Sequence, residues 1–327
     1  MARKIDWENQ IGRRLKLRDL HVFMTIVQRG SMAKAATQLG VSQSAVSEIV
    51  ADLEHAVRVR LLNRTSRGVE LTTYGHALHR RSLAAFDELK QGIKDIEFLA
   101  DPTVGEVRIG CAESTASALL PDLIQQFLQR YPRVVPYVKA LVTPTLELSE
   151  LRDRSLDLVL ARLMRPPASE DNELDTEVLF DDHLVVAAGS QSRWARRRKI
   201  DLAELADEPW ILTPPNTWNS MILAEAFRSR GLDLPKPHLV TFSVPLRASL
   251  LASGPYISAF PHSIMQLSAG RLSVTVLPID LPVRPWPFVI VTLKNRVLNP
   301  VAQRFIEHAR ALARTMDTEQ APARKSA

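Results

Sequence analysis

Three polar side chains, Gln43, Ser44 and Ser47, follow Ser42 at spacings that a helix opened by that serine would gather on one side. A glutamine amide pairs bidentately with an adenine edge, and serine hydroxyls bond bases or phosphates. Further along, Arg64 and Arg67 flank Ser66, where guanidinium groups would meet phosphates or a minor groove. Cys111 and Ser114 form a second candidate set, because a thiol or hydroxyl near a cleft invites nucleophilic chemistry. That chemistry needs an activating partner, and no G-x-S-x-G elbow, H-E-x-x-H, P-loop or Rossmann fingerprint occurs in the sequence. Cys111 is the single cysteine and follows the apolar "VRIG", so a small buried hydrophobe is the reading adopted, with a redox switch as its alternative. The chain is therefore not read as an enzyme, and no cofactor or metal is expected. His76 and His79 fall at i, i+3 and are read as helix-surface or seam residues rather than a metal pair.

The elements that must position the first set can be traced from caps and periodicity. Leu20, Phe23, Met24 and Val27 make one apolar stripe, which Gly30 ends. Ser31 then caps a second helix over Met32 to Leu39, in which Ala33, Ala35 and Ala36 allow close packing, and Gly40 stops it. Ser42 caps a third helix running to about Leu53. In that helix Ala45, Val46, Ile49, Val50 and Leu53 point inward, while Gln43, Ser44, Ser47, Glu48 and Asp52 fall on the other face. This is a helix-turn-helix, whose second helix presents its N-terminal side chains to a major groove. "VRVRLLNRTSRGVELTTYG" alternates apolar and polar residues about Ser66–Arg67–Gly68, which predicts a β-hairpin wing with Arg64 and Arg67 near its tip. The candidate DNA contacts are thus Ser31, Ser42, Gln43, Ser44, Ser47, Arg64 and Arg67.

Charge supports the same division of labour. Residues 1–81 hold 14 Lys and Arg against 7 Asp and Glu, whereas residues 82–327 hold 28 against 29. All the excess positive charge sits in the first quarter, as in a nucleic-acid-binding head on a neutral body. No run approaches the length of a membrane-spanning helix and no signal peptide is visible, so a cytoplasmic protein without membrane association is expected.

A long helix is predicted from Tyr74 to about Leu99, capped by Thr73. Positions 78, 82, 85, 89, 92, 96 and 99 step by 4 and 3 and read Leu, Ser, Ala, Leu, Gly, Ile, Leu. Such a seam would pair two heads on a rough palindrome. From Val104 the rhythm changes to near-continuous apolar strands alternating with helices, which predicts a parallel α/β sheet that restarts once, as two lobes. Ligands of such sheets sit at the carboxyl ends of strands. The residues found there are Ser114, Thr115, Thr143, Pro144 and Arg162 from the first lobe, and Asn216, Thr217, Trp218, Ser243, Phe260 and Pro261 from the second. Hydroxyls at helix starts suit an anionic or polyhydroxyl ligand, and Trp218 would stack on a ring or sugar face.

Residues 17–78, with "GSMAKAATQLGVSQSAVSEIVADLE" and "LLNRTSRGVELTTYG", resemble the DNA-binding head of LysR-type transcriptional regulators. "LLPDLIQQFLQRYPRV", "LRDRSLDLVLARL" and "EPWIL" resemble that family's effector domain, a fold similar to periplasmic solute-binding proteins, so the resemblance covers residues 17–312. The family usually has Pro where this chain has Ser44, and often a basic residue where it has Glu48. Residues 1–16, longer than the family's usual start, are read as a basic arm; the resemblance implies a multidomain chain with a mainly-α winged helix-turn-helix head 17–75 and a linker helix with hinge 76–103. A two-lobed α/β effector domain 104–314 follows (lobe one 104–163 and 272–314, lobe two 164–271), with a disordered tail 315–327. It implies a homodimer or homotetramer on double-stranded promoter DNA, a small-molecule effector that changes DNA bend, and RNA polymerase as a further contact. An organic acid, a sugar and a sugar acid all stay open as effector, and an architectural DNA-binding protein is the competing class.

Overall fold

The computed structural model describes residues 15–65, 68–117, 119–141, 148–162, 173–267, 273–282 and 284–320, with side chains of the last helix described to residue 315. The chain divides into two compact units, Met1–Gly92 and Ile93–Ala327.

The first unit opens with α1 (Leu17–Arg29), α2 (Met32–Leu39) and α3 (Gln43–Val57). Gly30 and Gly40 end α1 and α2 at φ 63° and 66°, left-handed conformations that a residue without Cβ adopts freely. Phe23, Ile26, Ala35, Val46, Leu53 and Leu61 form the core that fixes the three helices. Ala33 is exposed, so the small face of α2 is Ala35 and Ala36 alone. Strands β1 (Leu62–Thr65) and β2 (Gly68–Leu71) pair antiparallel with Arg64 opposite Val69. The wing is tied to the helices where the Val69 amide donates to the Gly30 carbonyl at 3.0 Å. Gly68, at φ 135°, faces that same carbonyl, and a Cβ there would collide with it. Ser66 and Arg67 lie outside the described residues.

Helix α4 (Thr73–Ala100) runs from the first unit into the second. Its seam is split: Leu78 packs on the head core and Ser82 is buried, whereas Leu89, Ile96 and Leu99 are 50%, 68% and 81% exposed. Ile93, 58% exposed, lies in the same stretch. His79 rests edge-on against Phe23, ring centroids 6.3 Å apart, and takes a packing role.

The second unit contains two five-stranded sheets. In chain order its elements are β3 (Val104–Cys111), α5 (Glu113–Ala116), α6 (Leu119–Arg130), β4 (Arg133–Ala140), α7 (Ser149–Arg152) and β5 (Leu158–Arg162). Then come β6 (Leu174–Asp182), β7 (Leu184–Gly189), β8 (Trp210–Leu212), α8 (Trp218–Ser229), β9 (Pro237–Val240) and α9 (Val244–Ser253). The chain continues with β10 (Ile257–Pro261), α10 (His262–Leu267), β11 (Val274–Val276), β12 (Trp286–Leu293) and α11 (Pro300–Gln320). The sheet orders are β4-β3-β5-β12-β6 for lobe one and β11-β7-β10-β8-β9 for lobe two.

Several expectations are corrected. The lobe boundaries shift, because β6 pairs with β12 in lobe one and β11 pairs with β7 in lobe two. The chain thus passes between lobes at His183 and again within 277–285. "LDTEVLFDD" escaped recognition as a strand because β6 lies at a sheet edge, where acidic residues face outward between buried ones. The sheets are mixed, not parallel: β12 runs antiparallel to β5 and β6, and β7 to β10. The helix expected at the start of "DLAELADEPWIL" is a single 3-10 turn, Leu202–Leu205, and of the helix expected over 145–152 the described part is α7, Ser149–Arg152, with 145–147 outside the described residues. Finally, α11 continues to Gln320, so residues 315–320 are helix where a disordered tail was expected.

Candidate nucleic-acid interface and effector cleft

Helix α3 presents Gln43, Ser44 and Glu48 to solvent while Val46, Val50 and Leu53 are buried beneath them. The division follows from helical spacing, which sends apolar positions 46, 50 and 53 to one side. Ser42 caps the helix, accepting from the Ala45 amide at 3.1 Å, and its hydroxyl lies 2.8 Å from that of Ser44. Ser31 caps α2 in the same way, accepting from Lys34 N at 3.5 Å. Both capping serines therefore spend acceptor capacity on the backbone. Ser47, expected beside Gln43, is half-buried and bonds the Met32 thioether at 3.6 Å, so it faces α2 more than solvent. Gln43 keeps its amide free of hydrogen bonds among the described residues.

Arg64 is exposed on β1. A residue absent from the sequence reading sets the wing's angle: the Glu54 carboxylate, on the last turns of α3, accepts from the Leu61 amide at 2.7 Å and the Leu62 amide at 3.1 Å. Thr72 completes the base, donating to the Arg60 carbonyl at 2.7 Å while its amide donates to Leu61 O at 2.9 Å. Recognition helix and wing are thereby one mechanical piece.

In the second unit the expected cleft residues separate into three groups. The first surrounds Arg162, buried at the end of β5. Its Nε donates to Asp182 Oδ2 at 2.9 Å and its Nη2 to the Ser263 hydroxyl at 2.8 Å, while Nη1 reaches Ser114 and Thr115 at 3.4 Å each. Asp182 also accepts from the Ser263 amide at 3.1 Å, the Ser263 hydroxyl at 2.6 Å and the His183 amide at 3.0 Å. Burial alone would raise the Asp182 carboxyl pKa, but the Arg162 charge and the hydrogen bonds from Ser263 outweigh it and hold the pKa below the ordinary value. Arg162 is thus a strut between lobes at their crossover, with Nη1 turned toward Ser114 and Thr115.

The second group is in lobe two. Thr217 caps α8, accepting from Ser220 N at 3.4 Å, and bonds both the Pro214 carbonyl and Thr213 at 2.7 Å. Asn216 is exposed. Trp218 is half-buried and stands edge-to-face on Trp286 with centroids 4.4 Å apart, so its ring is held in place by the protein. The third group is at α9 and β10. Ser243 caps α9 with an acceptor 3.4 Å from Leu246 N, Phe260 and Pro261 are buried, and the Phe260 ring is covered by Arg247 at 4.3 Å. Phe260 therefore forms a floor beneath Arg247. Thr143 and Pro144 lie outside the described residues. Cys111 is fully buried in the lobe-one core, and burial pushes its thiol up to about 11, away from thiolate chemistry.

Two family models match the chain: "Bacterial regulatory helix-turn-helix protein, lysR family" over residues 17–76 and "LysR substrate binding domain" over residues 100–314. The chain belongs to the LysR family of transcriptional regulators. Among curated members it is 29% identical over 289 residues to the uncharacterized HTH-type transcriptional regulator YybE of Bacillus subtilis, covering 88% of this chain and 96% of that one. It is 26% identical to the HTH-type transcriptional regulator GbpR of Azospirillum brasilense, covering 92% and 88%. The fold is shared with the LysR-family regulator CbnR (TM-score 0.58, 20% identity, 91% and 99% covered) and with a full-length OxyR variant from Pseudomonas aeruginosa (TM-score 0.62, 21% identity, 92% and 95% covered). As a LysR regulator the protein is a DNA-binding transcription factor with an α/β substrate-binding domain, and among its described residues no helix is long and apolar enough to cross a membrane.

Sequence reasoning about this LysR regulator missed Glu54, Asp182, Ser263 and Arg247. The first three carry no local signal, since the partners that give them their roles, Leu61 for Glu54, Arg162 and Ser263 for Asp182, lie 7 to 81 positions away. Arg247 had one: it is the only charged residue of the helix "VPLRASLLAS".

Proposed function

We propose that this LysR-family protein binds promoter DNA as a dimer or a tetramer of dimerised heads, and that a small molecule held between its two lobes modulates that binding. The reading is carried by α3, whose polar face is exposed over an apolar core and whose Gln43 amide is uncommitted. In it, Gln43 and Ser44 read base edges, Ser31, Ser42 and Arg64 meet phosphates, and Arg67 extends the wing contact. The exposed Leu89, Ile93, Ile96 and Leu99 of α4 support pairing of two subunits along that helix. A full-length CbnR bound to its target DNA shares the fold (TM-score 0.52, 22% identity, 91% and 100% covered), which supports the same use of the head. Ser114, Thr115 and Ser243 sit at strand ends where α/β sheets take ligands. The protein works in the cytoplasm and catalyses no reaction.

The test is capture of fragmented genomic DNA from the source organism by the purified full-length protein, followed by sequencing at two salt concentrations. Discrete peaks at a few promoters, with affinity falling ~10³–10⁵-fold between about 50 and 200 mM salt, are expected of 6–10 phosphate contacts. Peakless binding with the same salt slope would favour an architectural role and overturn sequence-specific regulation.

A further inference from the structure

Among the described residues of the second unit three arginines are buried, and two of them form an ion pair with a carboxylate. Arg162 pairs with Asp182 at 2.9 Å, and Arg296 pairs with Asp157 at 3.1 Å while donating to the Leu156 carbonyl at 2.6 Å. Arg247 is 1% exposed and has no ion-pair partner among the described residues. Its Nη1 donates to the Ala259 carbonyl at 2.8 Å and to the Ser258 hydroxyl at 3.3 Å. Nε is enclosed without any partner, and Nη2 makes no hydrogen bond among the described residues. Phe260 covers one face of the guanidinium.

A buried cation without a counter-charge is unfavourable, because desolvation is not returned by Coulomb attraction. Burial lowers the Arg247 pKa to about 10, so the group stays charged at neutral pH; the carboxylate that bears on it is Glu113, across on lobe one, with no hydrogen bond between them among the described residues. The position is also where a ligand belongs. Arg247 lies in the first turns of α9, just after Ser243 and the carboxyl end of β9, and reaches Ser258 and Ala259 in the middle of β10. β8 and β9 run parallel and α9 begins just past the carboxyl end of β9, while β10 leads on to the crossover where Asp182 meets Ser263. Ser258 is held by its own bond to the Ile211 carbonyl at 2.6 Å, so the guanidinium is fixed with Nε and Nη2 uncommitted.

We propose that the effector of this protein carries an anionic oxygen group, a carboxylate or phosphate, and that Arg247 is the residue that receives it. The proposal rests on the reading of the second unit as a ligand-binding domain, and it narrows the open classes to acids. An acid placed there supplies the missing counter-charge and accepts from two donors in the bidentate manner that guanidinium groups favour. The same contact draws a negative group toward the lobe-one side, where Glu113 stands, so the ligand's charge and Glu113 compete for one cation.

The experiment compares thermal unfolding of full-length wild type, Arg247→Gln, Arg247→Lys and Arg162→Gln, without additive and with matched acid and neutral probes: succinate and succinamide, benzoate and benzamide, gluconate and glucose, glycerol phosphate and glycerol. Arg247→Gln keeps a donor for Ala259 while removing the unpaired charge, and its unliganded melting temperature is expected to rise by roughly 2–4 °C. Arg162→Gln, which orphans Asp182, is expected to lower it. At least one acid, and not its neutral partner, raises the wild-type melting temperature; the shift is absent from Arg247→Gln and persists, weakened, in Arg247→Lys. A more stable Arg247→Gln supports the assignment even where none of these acids acts. An Arg247→Gln protein destabilised like Arg162→Gln overturns it, and so does an acid shift that survives in Arg247→Gln. A neutral probe stabilising wild type as well as its acid also overturns it, yet leaves the ligand-binding reading standing; that reading fails separately, if no probe or extracted metabolite alters DNA capture.

Discussion

Removing the Asp182 carboxylate tests the idea that one buried network joins the lobes. In Asp182→Ala, Arg162 keeps its place but loses its counter-charge, and the Ser263 and His183 amides lose their acceptor. Breaking a buried pair from one side costs about 3–5 kcal/mol, because the remaining charge stays desolvated. For a unit of this size each kcal/mol moves the melting temperature by roughly 2–4 °C, so a fall of roughly 6–20 °C is expected. Urea unfolding of the wild type and the variant should be followed across pH. Asp182 has its folded pKa held below the ordinary 3.8, so its stabilisation is present above that value and is lost as pH falls through the lowered one. The penalty should therefore be constant from neutral pH down to about pH 5 and shrink only in stronger acid. A penalty under about 1 kcal/mol at pH 7, or one that fades already between pH 7 and 5, would refute the network's role.

Other perturbations bear on the head and on Cys111. Glu54→Ala removes the one carboxylate oxygen that accepts from both the Leu61 and Leu62 amides at the wing's base and should cost about 1.5–3 kcal/mol of head stability; its urea midpoint, compared with that of wild type, checks this, and an unchanged midpoint contradicts it. Gln43→Ala should relax base preference by about 1–3 kcal/mol at one position, whereas Arg64→Ala should weaken all sites alike and flatten the salt slope, as competition binding to randomised operators will read. Uniform losses in both variants would remove Gln43 as a base reader. Native protein should resist iodoacetamide at Cys111 and react fully once unfolded; rapid native labelling would restore the redox reading.

What could be read from the chain alone was whatever local spacing encodes. Caps at Ser31 and Ser42, stops at Gly30 and Gly40, and the 3.6-residue rhythm of α3 define the helix-turn-helix without reference to distant residues, and family motifs extended that reading to the α/β body. The charge asymmetry likewise needs only counting. Tertiary structure decided everything that depends on which strands become neighbours. An edge strand such as β6 hides its identity because exposed residues such as Asp175 and Asp181 interrupt its apolar run, and only pairing with β12 reveals that it belongs to lobe one. The same pairing brings Asp182 to Arg162, turning an arginine that looked free into a strut. Conversely Arg247, inconspicuous in an apolar helix, becomes a candidate site only because the folded chain buries it and, among the described residues, sets no carboxylate in hydrogen-bond contact with it. Burial and partnership belong to the whole chain, and the value of a charge is settled by what the fold places beside it.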